Sequence, residues 1–334
     1  MKQRCLSAVA AIGLIVTPAI GFAQESVSLK MLNAWDEKFD GTPIVAHTFV
    51  ENVAKRSNGR IKITMSGPEV VAPAQQFQPT SGGVFDLNFS TPIYYLGTSG
   101  VCFALFGLPA DSQRWRDKGY WDFCDKELQR FGQKLISAPT SGSTEDFFQI
   151  ILREPLAAGD KPLAGRKIRG NKYYEPMVVP LGGSLVNLPG GEIYSALEKG
   201  VVDGAAWPVA GAERMRFQEV AKYMLRPRFG SSPFTVTMNL AKFNKLSKAD
   251  QDLLLAAGHD IEKSTPKGFD GIAERSIKAL KAAGVKEVQI DAALFKKLSA
   301  GIAKGVWDTA RTTPKTAERV KEFHEMAKKN GDAE

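Results

Sequence analysis

The sequence predicts an α/β protein of two lobes, and three observations carry that expectation. Residues 27–65 read strand–helix–strand, the same alternation recurs along the chain, and 334 residues exceed what one ordinary core serves. Hydrophobic residues at 43% and charged residues at 24% suit a packed interior and exclude a disordered chain.

The elements follow in order. Val27, Leu29 and Met31 alternate with polar residues and predict a strand. Thr42-Pro43 reads as a helix cap followed by proline at the first turn, with Gly59 as the stop; Ala46, Phe49, Val50, Val53 and Ala54 form the apolar stripe between them. Ile61, Ile63 and Met65 give the next strand. A short helix is expected over 73–81, a strand over 86–89, helix over 112–131 up to Gly132, and a strand over 134–138. The apolar run 146–153 reads as a strand leaving the first lobe. Strands at 166–169, 185–188, 200–207 and 223–226, with helices near 172–181, 192–199 and 211–218, fit a second lobe. Residues 234–240 form a further strand, and Ser247 caps a helix running to about Ala283, in which Pro266 predicts a kink or break. A strand over 285–290 and two amphipathic helices finish the chain.

The first 23 residues read as a secretory signal peptide: Lys2 and Arg4, an apolar run over 6–20, then Gly21-Phe22-Ala23 as the cleavage site. The run is too short for a membrane span, so an exported protein is expected. Cleavage removes two basic residues from a net charge of +8. The densest basic region, near the C-terminus, interleaves Glu318, Glu322 and Glu325 at helical spacing; this is a solvated helix face and not a nucleic-acid surface. Of the cysteines left, Cys102 lies in an apolar run and is expected as a buried free thiol, with a bridge to Cys124 as the alternative.

Catalytic motifs are missing. His47, His259 and His324 belong to no HExxH pattern, and neither GxGxxG nor GxSxG occurs. The 159–167 glycine-and-lysine stretch has the wrong spacing for a P-loop. The informative stretch is 163–208. Arg169 ends a short strand, where α/β proteins place ligand groups, and a guanidinium fork matches a carboxylate. A salt bridge within the lobe is the competing role. Trp207, ending another strand, either walls a pocket or packs in the core.

That stretch carries L-x-G-x-K-I-R at 163–169, G-G-x-x-V-x-L at 182–188 and E-I-Y-x-A-L-x-x-G-V-V-D-G-A at 192–205. It resembles the substrate-binding proteins of tripartite ATP-independent periplasmic (TRAP) transporters, of the dicarboxylate-binding-protein type. Gly83-x-x-Asp86-Leu87 and Phe106-Gly107-Leu108-Pro109 are similar to further segments of that family.

The resemblance implies the two-lobed periplasmic binding protein fold, with a ligand cleft between lobes and a hinge helix, here expected to be kinked near Pro266. Lobe I would comprise 24–148 plus 234–272. Lobe II would comprise 149–233 plus 273–334 with the C-terminal helices. It implies a non-enzymatic periplasmic receptor, monomeric and without cofactor or metal, that delivers an organic acid to TRAP permease subunits. An exported enzyme, or a sensor subunit presenting its ligand to another receptor, are the alternatives. Carried over, Arg169 clamps the ligand carboxylate, and Trp207, Gln149, Phe148, Thr91, Trp35, Asn33 and Tyr173 face the ligand. No carboxylate follows Trp207 or lies in 228–233, where the 2-oxoacid branch holds a metal, and Phe147-Phe148-Gln149 replaces the second arginine of the sialic-acid branch. The aromatic content points to a mid-sized, partly apolar or aromatic monocarboxylate.

Overall fold

The computed structural model describes residues 25–334; the signal peptide expected over 1–23 lies outside the described residues. Eleven strands form two sheets: β1 (Val27–Asn33), β2 (Ile61–Ser66), β3 (Leu87–Ser90), β4 (Gln133–Ser137), β5 (Phe148–Leu152), β6 (Lys167–Arg169), β7 (Ser184–Val186), β8 (Gly204–Pro208), β9 (Tyr223–Arg226), β10 (Thr235–Asn239) and β11 (Lys286–Gln289). The first sheet has the order β2-β1-β3-β10-β4 and the second β11-β9-β5-β8-β6-β7. β1 runs parallel to β2 and β3, while β10 enters antiparallel to β3 and β4. In the second sheet β5 is the antiparallel member, between β8 and β9.

Helices cover both faces, so β3, β5, β8 and β10 are buried along their whole length, as expected when strands run through the middle of a covered sheet. Of the stripe read from the sequence, Ala46, Phe49 and Val53 are fully buried, together with Val45, while Val50 and Ala54 are half-buried. Thr42 does not act as the cap. Its hydroxyl donates to the Asp36 carbonyl at 2.9 Å, and the helix opens with a π-helical turn over Thr42–His47 before the α-helix Thr48–Arg56. The helix expected over 112–131 is two, Ser112–Asp117 and Tyr120–Gln129, broken at Gly119 with φ of +79°. That left-handed conformation is open to glycine at little cost and interrupts a helix. The helix expected over 211–218 shrinks to Phe217–Val220, preceded by turns.

Two strands of chain cross between the sheets side by side. The segment leading into β5 pairs with the one leading into β10 through Ser141 N–H to Ser232 O (3.0 Å) and Phe147 N–H to Gly230 O (2.9 Å). The long helix Lys248–Ala282 makes the third crossing. Of the kink or break expected at Pro266, the break does not occur: the helix continues through it. Proline removes one donor, and the helix is held meanwhile by burial of Leu254, Ala257, Ile261, Phe269 and Leu280. Glu262, 4% exposed, ties it to the first lobe. Its carboxylate accepts from Arg116 (2.5 and 2.9 Å), Trp121 Nε1 (3.1 Å) and Ala138 N (2.8 Å). At its far end Ser276 Oγ accepts from Gly211 N at 2.9 Å, a second-lobe contact.

The last helix, Ala317–Lys329, lies against the first sheet's helices. Phe323 packs on Tyr120 and Phe123 at 5.5 and 5.0 Å, in the first lobe. Helix Ala292–Arg311 before it packs on both the Cys102–Gly107 turn of the first lobe and the Glu175–Val178 helix of the second. The cysteines also depart from expectation. Cys102 and Cys124 form a disulfide with Cα atoms 5.2 Å apart, both fully buried, because the Tyr120–Gln129 helix packs against the Cys102–Gly107 turn. With a separation of 22 residues, loop-closure entropy gives the bridge about 3 kcal/mol. The Cys102→Ala/Cys124→Ala variant should lose that much in urea unfolding.

Candidate functional site

The carboxyl ends of the parallel strands β1, β3, β6 and β8 and the amino ends of the antiparallel β5 and β10 converge on one cavity between the sheets. β1 delivers Trp35, β3 delivers Thr91 and Tyr94, β6 ends in Arg169, β8 carries Trp207, β5 opens on Phe148, and Phe234 precedes β10. This is the edge at which open α/β sheets bind ligands. The cavity measures about 50 Å³.

Among the described residues Arg169 is the only cation that lines it, and it is 4% exposed. Nε and Nη2 both donate to the Leu188 carbonyl (2.9 and 2.8 Å), and Nη1 donates to the Ala206 carbonyl (3.2 Å). Its guanidinium lies 5.0 Å from the Trp207 ring. No Asp or Glu pairs with it among the described residues. Of the five N–H groups of an arginine, one on each terminal nitrogen is therefore uncommitted. Burial pulls the Arg169 pKa below its ordinary value, opposed by Tyr174 and Tyr94. Burial likewise pushes the hydroxyls of Tyr94, Tyr173 and Tyr174 up, so they stay neutral.

Aromatic rings make the walls. Trp35 sits 4.8 Å from Phe39, 5.7 Å from Tyr94 and 5.6 Å from Phe234. From the second lobe, Phe148 stands 5.3 Å from Tyr173 and 5.1 Å from Tyr174. Phe39 reaches Trp207 edge-on at 6.1 Å, so the two walls touch. Beside that contact Arg214 of the second lobe pairs with Asp40 and donates to the Glu37 carbonyl of the first (2.8 Å).

Six of the eight residues expected to face a ligand line this cavity: Arg169, Trp207, Phe148, Thr91, Trp35 and Tyr173. Thr91 spends its hydroxyl proton on the Pro233 carbonyl at 3.0 Å. Gln149 and Asn33 do not line it. Gln149 follows Phe148 on a strand, so it points to the opposite face, where its Oε1 accepts from Arg226 at 3.0 Å. Asn33 is spent on its own loop, donating to Thr42 Oγ1 (3.2 Å) and accepting from Trp35 N (3.2 Å). Phe39, Tyr94, Phe106 and Phe234 line the cavity without having been expected to face a ligand, although Phe106 opens the Phe106–Pro109 segment named for its resemblance. Tyr94 was the most accessible of them, three residues beyond Thr91.

Residues 42–309 match the family described as bacterial extracellular solute-binding protein, family 7. The chain belongs to that family. It is a TRAP-type solute-binding protein, a class of receptors and not of enzymes. Among its relatives is a monocarboxylate 2-oxoacid-binding periplasmic protein of Nostoc sp., 27% identical over 307 residues, 86% of this chain and 83% of that one. A TRAP periplasmic solute-binding protein of Desulfovibrio salexigens, solved with orotic acid, superposes with a TM-score of 0.77 at 19% identity, covering 91% of this chain and 99% of its own. Another from Rhodoferax ferrireducens, solved with malonate, gives 0.75 at 22% identity, covering 90% and 99%. These two likenesses establish the two-lobed α/β fold of a TRAP solute-binding protein here.

Among the described residues no helix is long and apolar enough to cross a membrane, and no group of three or more His, Cys, Asp or Glu side chains is placed to hold a metal.

Proposed function

We propose that this TRAP solute-binding protein captures, in the periplasm, a monocarboxylate with an apolar or aromatic body and hands it to the membrane subunits of a TRAP permease. The observation that supports this most is the state of Arg169: a buried cation, solvated by carbonyls yet unpaired, with one free N–H on each terminal nitrogen. A carboxylate is the anion whose two oxygens match that pair. Each charge-assisted hydrogen bond contributes roughly 1.5–3 kcal/mol. The cavity lining holds one cation and no Asp or Glu, so one negative charge is met and a second would be buried without a partner, which is costly. Trp35, Phe148, Tyr174 and Trp207 offer ring faces and edges to the rest of the molecule.

Size refines the reading. A cavity of about 50 Å³ is roughly a third of the ~150 Å³ that admits benzene. An aromatic acid therefore requires the lobes to part and close again around it, and a short aliphatic acid fits with little movement. The relative named for monocarboxylate 2-oxoacids and the structural neighbours holding orotic acid and malonate support an organic acid as the class.

Mass spectrometry of small molecules released on denaturing the purified protein should identify such an acid, and calorimetry should then return its affinity. A neutral or cationic solute as the tight ligand overturns the proposal. The same titrations carry a pH expectation. The lining tyrosines are pushed up by burial and remain protonated, and arginine stays charged despite its downward shift. Affinity should therefore be flat from about pH 6 to 9 and weaken only as the ligand itself protonates near pH ~4.

A further inference from the structure

Behind the ligand cavity lies a second, larger chamber of about 440 Å³, which shares Phe106 and Tyr173 with it. The two rings stand 4.7 Å apart between centroids and separate the spaces. On the far side the chamber is walled by Leu108, Phe229, Phe295 and Ile302 and opens toward the exposed Glu145. Its basic group, Arg228, is already paired with Asp146. Ser231, Ser299 and Asp332 also line it, so the chamber offers an apolar side within a mixed wall and no free cation for a second anion.

Tyr173 is held firmly in this position. It is 4% exposed, its backbone N–H is bound by Asn171 Oδ1 at 3.1 Å, and its ring packs on Phe148 at 5.3 Å. Its hydroxyl occupies the space over Gly230, where an added Cβ would lie 2.0 Å from the oxygen. Gly230 has φ of +62°, so both its backbone and its missing side chain suit the tyrosine.

We infer that Tyr173, backed by Phe106, is the specificity-determining partition that sets the maximum length of the acid anchored on Arg169. The inference rests on the carboxylate clamp proposed above. An acid held at Arg169 extends its tail toward this wall, and opening the wall gives the tail the apolar side of the larger chamber, at Leu108, Phe295 and Ile302, to enter. Each further methylene removed from water then tightens binding about fourfold.

Straight-chain acids from acetate to octanoate, titrated calorimetrically, test this. With the wild type, affinity should stop rising after the shorter members. With Tyr173→Ala it should continue to rise, so that octanoate binds at least about tenfold tighter than to the wild type, as two or more extra buried methylenes imply. Tyr173→Phe keeps the ring and should follow the wild type. Phe106→Leu opens the same wall from the first lobe, and should extend the series should Tyr173→Ala not fold. An unchanged length profile in the folded wall variants, with binding still dependent on Arg169, overturns the partition alone. A gain for octanoate that survives Arg169→Met in the Tyr173→Ala background also overturns it, because the tail would be bound apart from the clamp. Failure of the wild type to bind any of these acids, or binding that ignores Arg169→Met, overturns the clamp and the partition with it.

Discussion

Arg169→Met should weaken binding of the carboxylate ligand by about 2–5 kcal/mol, roughly 30-fold to several thousand-fold, while the empty protein keeps its unfolding temperature within about 4 °C. Two opposing effects produce the second half of this expectation. Methionine strands the Leu188 and Ala206 carbonyls, which now accept from the guanidinium at 2.8–3.2 Å. It also relieves the empty protein of a buried charge without a counter-ion, and such charges stabilise little or not at all. Arg169→Lys retains the charge but not the planar fork, so its affinity should fall between the two. Calorimetry for binding and scanning calorimetry for the empty proteins make the check. A structural salt-bridge arginine would behave in the opposite way, with a large loss of stability whether or not ligand is present.

Glu262→Ala should cost about 3–5 kcal/mol of unfolding free energy, the range for removing one partner of a buried ion pair. The carboxylate is almost fully buried and gathers four donors from the first lobe: Arg116, Trp121, the Ser137 hydroxyl and the backbone at Ala138. Arg116 additionally lies 4.3 Å from the Trp121 ring. Alanine leaves the Trp121 and Ala138 N–H groups unpaired and removes the counter-charge of Arg116. Glu262→Gln keeps an acceptor and should lose less. Urea unfolding of Glu262→Ala, Arg116→Ala and the double variant would give the coupling between them; additive losses would show that the pair acts as two independent residues.

Much of this architecture can be read from periodicity. The alternation in Val27–Met31 and Ile61–Met65, with the stripe between, gives β1, the helix and β2 directly, because each has one face buried by a regular spacing. The site is legible to a lesser depth. Arg169 and Trp207 sit at strand ends in a stretch whose resemblance is specific, and both line the cavity. Phe234 was hidden by topology: it lines the cavity because β10 runs antiparallel beside β3, which brings its amino end level with Ser90. A strand's direction in its sheet leaves no trace in its own residues. Phe148 and Gln149 show a different limit. Adjacent strand residues face opposite ways, and here Phe148 takes the cavity face while Gln149 turns to Arg226, but β5 is buried on both faces and its apolar run does not reveal which of the two does so. The Cys102–Cys124 bridge depends on how a turn and a helix pack, which spacing alone does not encode.

The two carbonyls around Arg169 have one further consequence. Neutral dipoles solvate a cation but do not cancel it, so the second lobe presents a net positive charge at the cleft. Shutting the lobes over that charge with nothing between them strips its remaining water and gains only the lobe-to-lobe contacts, such as Phe39 on Trp207 and Arg214 on Asp40, that a loaded closure makes as well. Shutting them over an anion removes both charges from solvent as a neutral pair. The cost of an empty closure is thus built into the anchor itself. On the function proposed above, the closed shape would then report occupancy, and an unloaded receptor would be discouraged from presenting that shape to a permease.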